Sequence, residues 1–410
     1  MRVLKVVQAY YPFQDKGGPV VKVRAIAQGL AAKGQSVTVL TADHGFSTSL
    51  PSGFAVERGK WGWRARENGV TAIYLRSFVR YRSITFNPSV IGFAAGSITQ
   101  FDLAHIYGLY DLLGPIIAFY CRRHGIPYFV EPMGMYRPIV RNLRMKRMYH
   151  RALGNRLLNA AHQLVATSEL EKQELLDGGV SGERITIRRN GISAPTSLPA
   201  PGLFRKRWGI GPDAKMILFL GRLVSKKSPN ILIDAFARWR RESHNGACSV
   251  LVLAGPEENG DYGARLRSQA YAAGVAADVI FAGPLYDEAK WAAYRDADVF
   301  ALPSQNENFG NSAAEAIACG TPVIVTDQCG IAPIIAEKAG LVVKHDSTSL
   351  ANALNLLLGN ADLAAQFRAN CGETAAGLTW EAPLAQMEML YREAIAGSRR
   401  SEMEFQGQTT

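Results

Sequence analysis

The chain has 410 residues, a net charge of +11 and a hydrophobic fraction of 48%, which is typical of a globular protein. This length favours two domains over one, and the absence of any uninterrupted apolar stretch of about 18 residues excludes a membrane-spanning helix. The five cysteines are widely spaced and no metal-binding pattern of histidines occurs, so the sequence indicates reduced thiols and no metal site.

Residues 3–9 form a β-rich run, residues 20–33 a helical pattern that ends at Gly34, and residues 36–41 a second strand. A strand, a helix and a second strand make a βαβ unit, which predicts a parallel sheet with a right-handed crossover. The N-terminus lacks the long apolar run and cleavage site of a signal peptide, so we expect a cytoplasmic protein. Further strands are predicted at 103–107, 128–130, 163–167 and 185–187.

The segment GISAPTSLPAPG, which begins at Gly191, contains three prolines and no charge and is typical of a linker. The α/β pattern then restarts, and the predicted strands are 216–221, 250–255, 279–283, 299–303 and 322–326. A last amphipathic helix at 380–396 precedes a polar tail that we expect to be disordered. The predicted organisation is a Rossmann-like domain over 1–190, a linker over 191–202, a second Rossmann-like domain over 203–378, a helix over 379–396 and a tail over 397–410.

Open α/β sheets bind ligands beyond the carboxyl ends of their strands, and two loops at such positions in the second half carry charged residues. In the loop after 216–221, Gly221 allows a close approach of the backbone, while Arg222 and Lys227 carry charges that suit a diphosphate. The alternative is a solvated basic loop. The sequence therefore indicates an anion-binding loop here.

The second loop, 304–315, follows the strand at 299–303 and predicts a helix from near Asn308 to Ala318. The N-terminus of that helix would face an anion or a sugar hydroxyl. Glu307 stands just before the helix, and Glu315 follows eight residues later, about 12 Å along a helix axis. Glu315 is flanked by small apolar residues, which favours a semi-buried carboxylate with a partner over a simple surface acid.

A third loop, in the first half, contains Asp15, Lys16, Gly17 and Gly18. Its two glycines would let backbone amides point towards a ligand, although a plain tight turn is the alternative. The loop is not a GxGxxG motif, and no acid follows the next strand at the dinucleotide spacing, which argues against NAD binding.

The order and spacing of these elements resemble the retaining glycosyltransferases of family 4, which have the GT-B fold. The resemblance covers nearly the whole chain, and its most specific stretch is ENFGNSAAEAIACGTPVIVTD at 307–327, which contains a Glu-x7-Glu element. The remaining similar positions are the Gly-Arg-Leu…Lys loop at 221–227, Gly17-Gly18, Ser168-Glu169, Asn190-Gly191 and Trp380.

The resemblance implies an α/β protein with two Rossmann-like doubly wound domains that face each other across a cleft. The first would bind the acceptor and the second a nucleotide-diphosphate sugar, with no cofactor and no metal. By position, Arg222, Lys227 and Glu307 would be the catalytic residues, with the two cations neutralising the diphosphate, and Glu315 would bind the ribose hydroxyls. The other donor-binding positions would be Gly17, Gly18, Gly221, Asn308, Phe309, Gly310 and Asn311.

The chain also departs from the family pattern. Many members carry a histidine where this chain has Pro132 and Met133, and some carry paired histidines near the position of His105. Many have a glutamate soon after Gly330, whereas the next acid here is Glu337. These differences concern the orientation of the sugar more than the binding of the diphosphate.

Positive charge is concentrated in the first half: residues 1–195 contain 26 Lys and Arg against 12 Asp and Glu. Residues 137–156 contain seven of these bases and no acid, interleaved with apolar residues, which predicts an amphipathic helix suited to an anionic membrane surface. Trp61, Trp63 and the run 76–83 add aromatic and basic residues. A solvated basic face is the alternative, and no nucleic-acid-binding motif is present.

The resulting hypothesis is a retaining, metal-independent hexosyltransferase of the cytoplasm, peripheral to the inner face of the membrane. Its partners would be a nucleotide sugar and a lipid-linked or polysaccharide precursor, and not a nucleic acid. Two alternatives stay open on the same fold: a sugar-nucleotide epimerase, which needs acid and base side chains around the sugar, and a catalytically silent sugar-nucleotide-binding protein.

Overall fold

A computed structural model describes residues 1–13, 17–43, 54–81, 84–137, 143–242, 248–257 and 261–407, without the side chains of 80, 81, 84 and 399–407. The chain divides into two compact units. The first combines Met1–Asn190 with Trp380–Thr410, and the second is Gly191–Thr379.

The first unit is built around a nine-stranded sheet. The strands of this unit are β1 (Arg2–Val7), β2 (Ser36–Ala42), β3 (Glu57–Gly59), β4 (Gly62–Glu67), β5 (Val70–Leu75), β6 (Val79–Tyr81), β7 (Ile84–Phe86), β8 (Leu103–Tyr107), β9 (Tyr128–Glu131), β10 (Gln163–Ala166) and β11 (Ile185–Ile187). The sheet order is β11-β10-β9-β8-β1-β2-β5-β4-β3, while β6 and β7 form a separate two-stranded hairpin. The neighbouring pairs from β11 to β5 are parallel, as the βαβ pattern predicts.

Helices cover both faces of this sheet, so its central strands are almost entirely buried, including the polar side chains of Lys5, His105 and Glu131. The helices in the first part of the chain are α1 (Gly18–Ala32), α2 (Ser89–Ser97), α3 (Leu113–Arg123), α4 (Leu143–Tyr149), α5 (Asn155–Asn159) and α6 (Glu169–Asp177). Helices α2, α3 and α5 share one hydrophobic core with the sheet, and α1 packs in the core on the opposite face.

The second unit repeats the architecture with a six-stranded parallel sheet of order β14-β13-β12-β15-β16-β17. Its strands are β12 (Lys215–Leu220), β13 (Ser249–Ala254), β14 (Val279–Gly283), β15 (Val299–Leu302), β16 (Val323–Thr326) and β17 (Gly340–Val343). Its helices are α7 (Leu203–Trp208), α8 (Pro229–Glu242), α9 (Asp261–Ala272), α10 (Asp287–Asp296), α11 (Asn311–Ala318), α12 (Ala332–Ile335), α13 (Ser347–Gly359) and α14 (Ala361–Ala376).

The end of the chain differs from the prediction. The last helix, α15 (Glu381–Gly407), continues through most of the segment that was expected to be disordered. Its apolar side chains Leu384, Met387 and Tyr391 are buried in the same core as α1 of the first unit. Tertiary packing therefore anchors a helix whose polar continuation gives no sign of order in the sequence.

Several strands were not predicted from the sequence. Strand β5 belongs to the parallel part of the first sheet, and β3 and β4 add an antiparallel edge to it. The hairpin β6–β7 stands apart from that sheet, and β17 completes the second sheet. Strands β3 and β4 are rich in charged residues and lack an apolar run, because an edge strand buries only part of its surface.

Candidate functional site

In the second unit, the loops that contain Arg222 and Glu307 lie together where the strand order of the sheet reverses. Strands β13 and β14 lie on one side of β12, whereas β15, β16 and β17 lie on the other. The loop that contains Arg222 follows β12, and the loop that contains Glu307 follows β15, its neighbour in the sheet. Such a reversal leaves a crevice at the carboxyl edge, which is the usual ligand site of open α/β sheets.

Backbone hydrogen bonds hold these loops together. The amide of Gln305 donates to the carbonyl of Lys226 at 2.9 Å, which joins the two loops directly. The amide of Glu307 donates to Gln328 and its carbonyl accepts from Gly330, both at 2.9 Å. The position of Glu307 is thus fixed by segments that follow β12 and β16 as well as β15.

Lys227 and Glu307 form the central contact of this site. The Nζ of Lys227 lies 2.7 Å from Oε2 of Glu307, and both side chains are half-buried. A Cβ at Gly221 would stand 3.2 Å from the Cδ of Lys227, so the glycine leaves room for the lysine to lie across the backbone. Burial acts to raise the pKa of Glu307, but Lys227, with Lys226 and Arg222, holds it below its ordinary value.

The helix after this loop starts later than predicted. It begins at Asn311 rather than near Asn308, after Gly310, whose φ of 109° is strained for any other residue. Glu307 consequently lies in the loop, and the spacing of about 12 Å along one helix axis between the two glutamates was wrong, because only the second of them is helical. Phe309 is buried, while Asn308 and Asn311 are partly exposed.

Glu315 is half-buried and partnered, as its apolar flanks predict. Its Oε1 lies 2.8 Å from the Nζ of Lys290, and its Oε2 accepts a 3.0 Å hydrogen bond from the hydroxyl of Tyr294. Both partners are on α10 and were missed. Their i, i+4 spacing shows that they share a helix face, but only the fold shows what that face contacts. A carboxylate has further lone pairs, so Glu315 can still accept from a ligand.

A buried hydroxyl at the same edge was also missed. Ser304 lies two residues after the end of β15 and is completely buried, and among the described residues its Oγ has no hydrogen-bond partner. Its carbonyl accepts from Thr326, which fixes the backbone there. Nothing in the sequence distinguishes this serine from an ordinary turn residue.

In the first unit, the sheet order reverses between β8 and β1. The loop after β1 ends at Gly17, with a φ of 88°, and Gly18 is the first residue of α1. Asp15 and Lys16 lie outside the described residues. In the neighbouring loops, Tyr110 and Met133 have φ values of 68° and 55°, and such backbone strain is concentrated at functional sites.

Behind this edge lies a buried cluster of charges that was not predicted from the sequence. Glu131, at the end of β9, accepts hydrogen bonds from Lys22 of α1 and from Arg188, which follows β11. All three side chains are buried, and the two cations hold the pKa of Glu131 below its ordinary value against the effect of burial. Burial lowers the pKa of Lys22 to about 8.

His105 and Lys5 belong to the same buried region. The Nδ1 of His105 contacts the hydroxyl of Tyr391 on α15, and Lys5 donates to the hydroxyl of Tyr107 at 2.7 Å. Burial and the neighbouring cations keep the pKa of His105 well below its ordinary value. His105 is therefore a neutral core residue that packs α15 against the sheet, rather than a ligand-binding histidine.

The basic stretch of the first unit is only partly the helix that was predicted. Residues 138–142, with Arg141, lie outside the described residues; α4 covers Leu143–Tyr149, followed by a π-helical turn at His150–Gly154 and then α5. Leu143, Met145 and Met148 are exposed instead of packed inward. A cavity of about 460 Å³ is lined by Arg147 of α4 together with Tyr136, Arg137, His150, Arg151, Asn155, Glu174, Asp177 and Gly178.

Across the described ranges, no three His, Cys, Asp or Glu side chains lie close enough together to hold a metal ion. No helix in the described part of the chain is both long and apolar enough to cross a bilayer. All five cysteines are free thiols, and only Cys248 is exposed.

Both units match families of known proteins. Residues 17–191 match the family of Glycosyl transferase 4-like domains, and residues 203–375 match the Glycosyl transferases group 1 family. A D-inositol 3-phosphate glycosyltransferase of Corynebacterium urealyticum is 30% identical over 92% of this chain and 91% of its own length. The one from Kineococcus radiotolerans is 32% identical over 58% of this chain, which spans 59% of that relative.

The fold has solved counterparts as well. The structure of HepE from Anabaena, in complex with UDP and glucose, is 19% identical, aligns over 96% of this chain and all of that chain, and has a TM-score of 0.74. The two matched families together span most of both units. The chain belongs to the glycosyl transferases of group 1, family 4, and has their GT-B fold.

Proposed function

We propose that this glycosyltransferase binds a nucleoside-diphosphate sugar at the carboxyl edge of its second sheet and transfers the sugar with retention and without a metal ion. The observation that carries this proposal is the contact between Lys227 and Glu307, which joins the loops after β12 and β15 at the reversal of strand order. Arg222, exposed on the first of these loops, adds a second cation beside it.

The proposed chemistry follows from these charges. When the bond between the sugar and the diphosphate breaks, negative charge develops on the leaving group, and fixed cations lower the energy of that state. Lys227 and Arg222 would stabilise this charge, and Glu307 would share Lys227 with the diphosphate. Glu315, held by Lys290 and Tyr294, would accept from the ribose hydroxyls. Retention rests on the resemblance of the Glu-x7-Glu element to the retaining family.

A panel of nucleoside-diphosphate sugars tests donor binding. A bound donor stabilises the folded state by mass action, so the correct sugar and base should raise the melting temperature, with or without excess EDTA. Restoration of transfer by manganese or magnesium after EDTA treatment would contradict the metal-free mechanism. Product analysis without an acceptor separates the alternatives, because an epimerase converts the donor and a transferase at most hydrolyses it.

For the acceptor, we propose a lipid-linked sugar in an anionic membrane that the first unit contacts peripherally. Support comes from the net charge of +14 over residues 1–195 and from α4, where the exposed side chains of Leu143, Met145 and Met148 alternate with basic residues. Each base near an anionic surface contributes about 1 kcal/mol, which salt weakens. The curated relatives act on D-inositol 3-phosphate, a small phosphorylated acceptor, which makes a soluble acceptor the competing case.

Co-sedimentation with vesicles decides between the two acceptors. The protein should pellet with vesicles that contain phosphatidylglycerol at low salt and stay in solution with pure phosphatidylcholine. Replacing Arg144, Lys146 and Arg147 by Ser, with or without Arg141, should release it. A wild-type protein that ignores anionic vesicles even at low salt would favour a soluble acceptor.

A further inference from the structure

A group of large apolar side chains is exposed on and beside the hairpin β6–β7. Phe78, Val79 and Phe86 are 63%, 61% and 47% exposed, and Ile91, at the start of α2, is 52% exposed. Val79 and Phe86 are directly paired across the hairpin, and the amide of Phe78 donates to the carbonyl of Phe86 at 3.0 Å. Cross-strand partners project to the same side, so Val79 and Phe86 share one face of the hairpin. Together with the exposed Phe78 and Ile91, they are termed the apolar patch.

The hairpin buries polar side chains and exposes apolar ones, which is the reverse of the usual pattern for a strand with one face in water. In β7, the polar side chain of Thr85 is buried while the apolar Phe86 is exposed. Thr85 accepts a 2.7 Å hydrogen bond from Gln8, and the buried Asn87 donates to the carbonyl of Leu75 at 3.0 Å. A half-buried strand normally turns its apolar side inward. Here buried polar contacts fix the inner side and hold the apolar side outward.

Basic side chains border this apolar patch. The guanidinium of Arg76 lies 5.2 Å from the ring centre of Phe78, and Lys60 lies 4.7 Å from the ring centre of Trp61. Trp61 packs directly on α2, where a Cβ at Gly92 would stand 2.7 Å from its ring. An apolar centre with a cationic rim is complementary to an anionic bilayer, which offers hydrocarbon beneath negative headgroups.

The patch shares its edge of the sheet with α4. The hairpin follows β5 and the basic stretch follows β9, and both strands are parallel members of one sheet, so both segments leave from the carboxyl edge. Helices α2 and α5, which follow the two segments, contribute to the same hydrophobic core on one face of that sheet. Both segments therefore start at the same edge of the sheet and lead into helices on the same face.

We propose that Phe78, Val79, Phe86 and Ile91 form an apolar wedge that inserts beneath the headgroups of an anionic bilayer, next to α4 on the membrane surface. This inference rests on the membrane contact in the proposed function. The wedge adds a contribution to membrane binding that salt does not abolish, because salt screens charges and does not screen the burial of apolar side chains. The cations attract the protein to the surface, and the wedge fixes the depth and orientation of the first unit.

The test compares matched variants on vesicles of phosphatidylglycerol and phosphatidylcholine. Phe78→Ser combined with Phe86→Ser should weaken partitioning about tenfold or more at both low and high salt, since each lost aromatic removes apolar burial. Replacing Arg144, Lys146 and Arg147 by Ser should weaken it mainly at low salt. Tyr271→Ser, on α9 of the second unit and 81% exposed, is the control and should bind like the wild type.

A fluorescence measurement reports insertion directly. Phe78→Trp should show strong additional quenching by lipids brominated near the headgroup, whereas Tyr271→Trp should show none. Wild-type partitioning of the double Ser variant, or no quenching at position 78, would overturn the wedge while membrane contact through α4 stands. A concentration-dependent dimer that the double Ser variant abolishes would overturn it in favour of a second copy. Donor-induced thermal stabilisation tests the transferase site independently of these results.

Discussion

Lys227 and Glu307 are 80 residues apart in the sequence, and the Nζ of one lies 2.7 Å from Oε2 of the other. The contact exists because β12 and β15 are neighbours in the sheet although two strands separate them in the chain. It holds a lysine in the crevice at the reversal of strand order, next to an exposed arginine. The same arrangement places a carboxylate beside the position where the lysine would bind the diphosphate in the proposed site.

The first prediction concerns the two charged contacts of this site. Lys227→Ala should lower kcat/KM for transfer about 100-fold or more, because it removes a cation from the developing charge of the leaving group. Glu315→Gln should also nearly abolish transfer, since it removes the charge that faces Lys290 and that, in the proposed site, would accept from the ribose hydroxyls. Steady-state kinetics and a thermal melt of each purified variant measure the effect on catalysis and on folding.

Arg238→Ala is the matched control for these variants. Arg238 forms an ion pair with Glu242 on the exposed side of α8 in the same unit. Its removal should leave kinetics unchanged and cost less than about 1 kcal/mol of stability. Unchanged turnover in Lys227→Ala or Glu315→Gln would show that these residues do not contact the donor.

The second prediction tests whether Tyr294 positions Glu315 for the donor or has only a structural role. Tyr294→Phe keeps the buried ring but removes the hydrogen bond to Glu315, so the donor KM should rise severalfold with kcat nearly unchanged. The lost hydrogen bond should cost about 1 kcal/mol of stability. Tyr262→Phe loses a comparable 3.0 Å bond to Asn230 and should change stability alone. Equal donor KM values in both variants would mean that Tyr294 does not orient Glu315.

The third prediction concerns pH. Burial acts to raise the pKa of Glu307, but Lys227 and the neighbouring cations hold it below its ordinary value. A carboxylate whose pKa is lower in the folded state stabilises the fold above its unfolded pKa, about 4.3, and this contribution is lost as the pH falls through the lower folded pKa. Glu307→Gln should therefore be less stable than the wild type at pH 7, by about 1 kcal/mol, and this difference should disappear towards pH 3.

Urea unfolding of both proteins at pH 7, 5, 4 and 3 measures this difference. Near neutral pH the ion pair is complete, so the gap between the two proteins should be constant from pH 7 to 5. A gap that remains the same size at pH 3 would show that the charge of Glu307 contributes nothing to the interaction.

The fourth prediction concerns the buried cluster of the first unit. Glu131→Gln leaves Lys22 and Arg188 buried without their counter-charge, which should cost about 3–5 kcal/mol of stability. Glu67→Gln removes an ion pair with Arg24 that is partly exposed, and should cost about 1 kcal/mol or less. Equal losses in the two variants, measured by chemical unfolding, would contradict a strong role for burial at Glu131.

The central strands of the second sheet could be predicted to within a residue or two, as at 299–303 and 322–326. Such strands are buried on both faces, and burial selects β-branched and other apolar residues at every position. The hairpin β6–β7 could not be predicted, since it turns apolar residues outward and polar ones inward. Its pattern is set by what it contacts and not by the usual rule.

The repeated α/β pattern, the residue types at the ends of its strands, the family and the candidate donor loops could all be recognised in the sequence, because strand periodicity and glycine-charge motifs are local. Which charges are partners depends on the folded chain. Lys227 with Glu307, Glu315 with Lys290 and Tyr294, and Glu131 with Lys22 and Arg188 join separate elements whose proximity depends on strand order and helix packing. The burial that sets the strength of these contacts is likewise a property of the packed fold and not of any local segment.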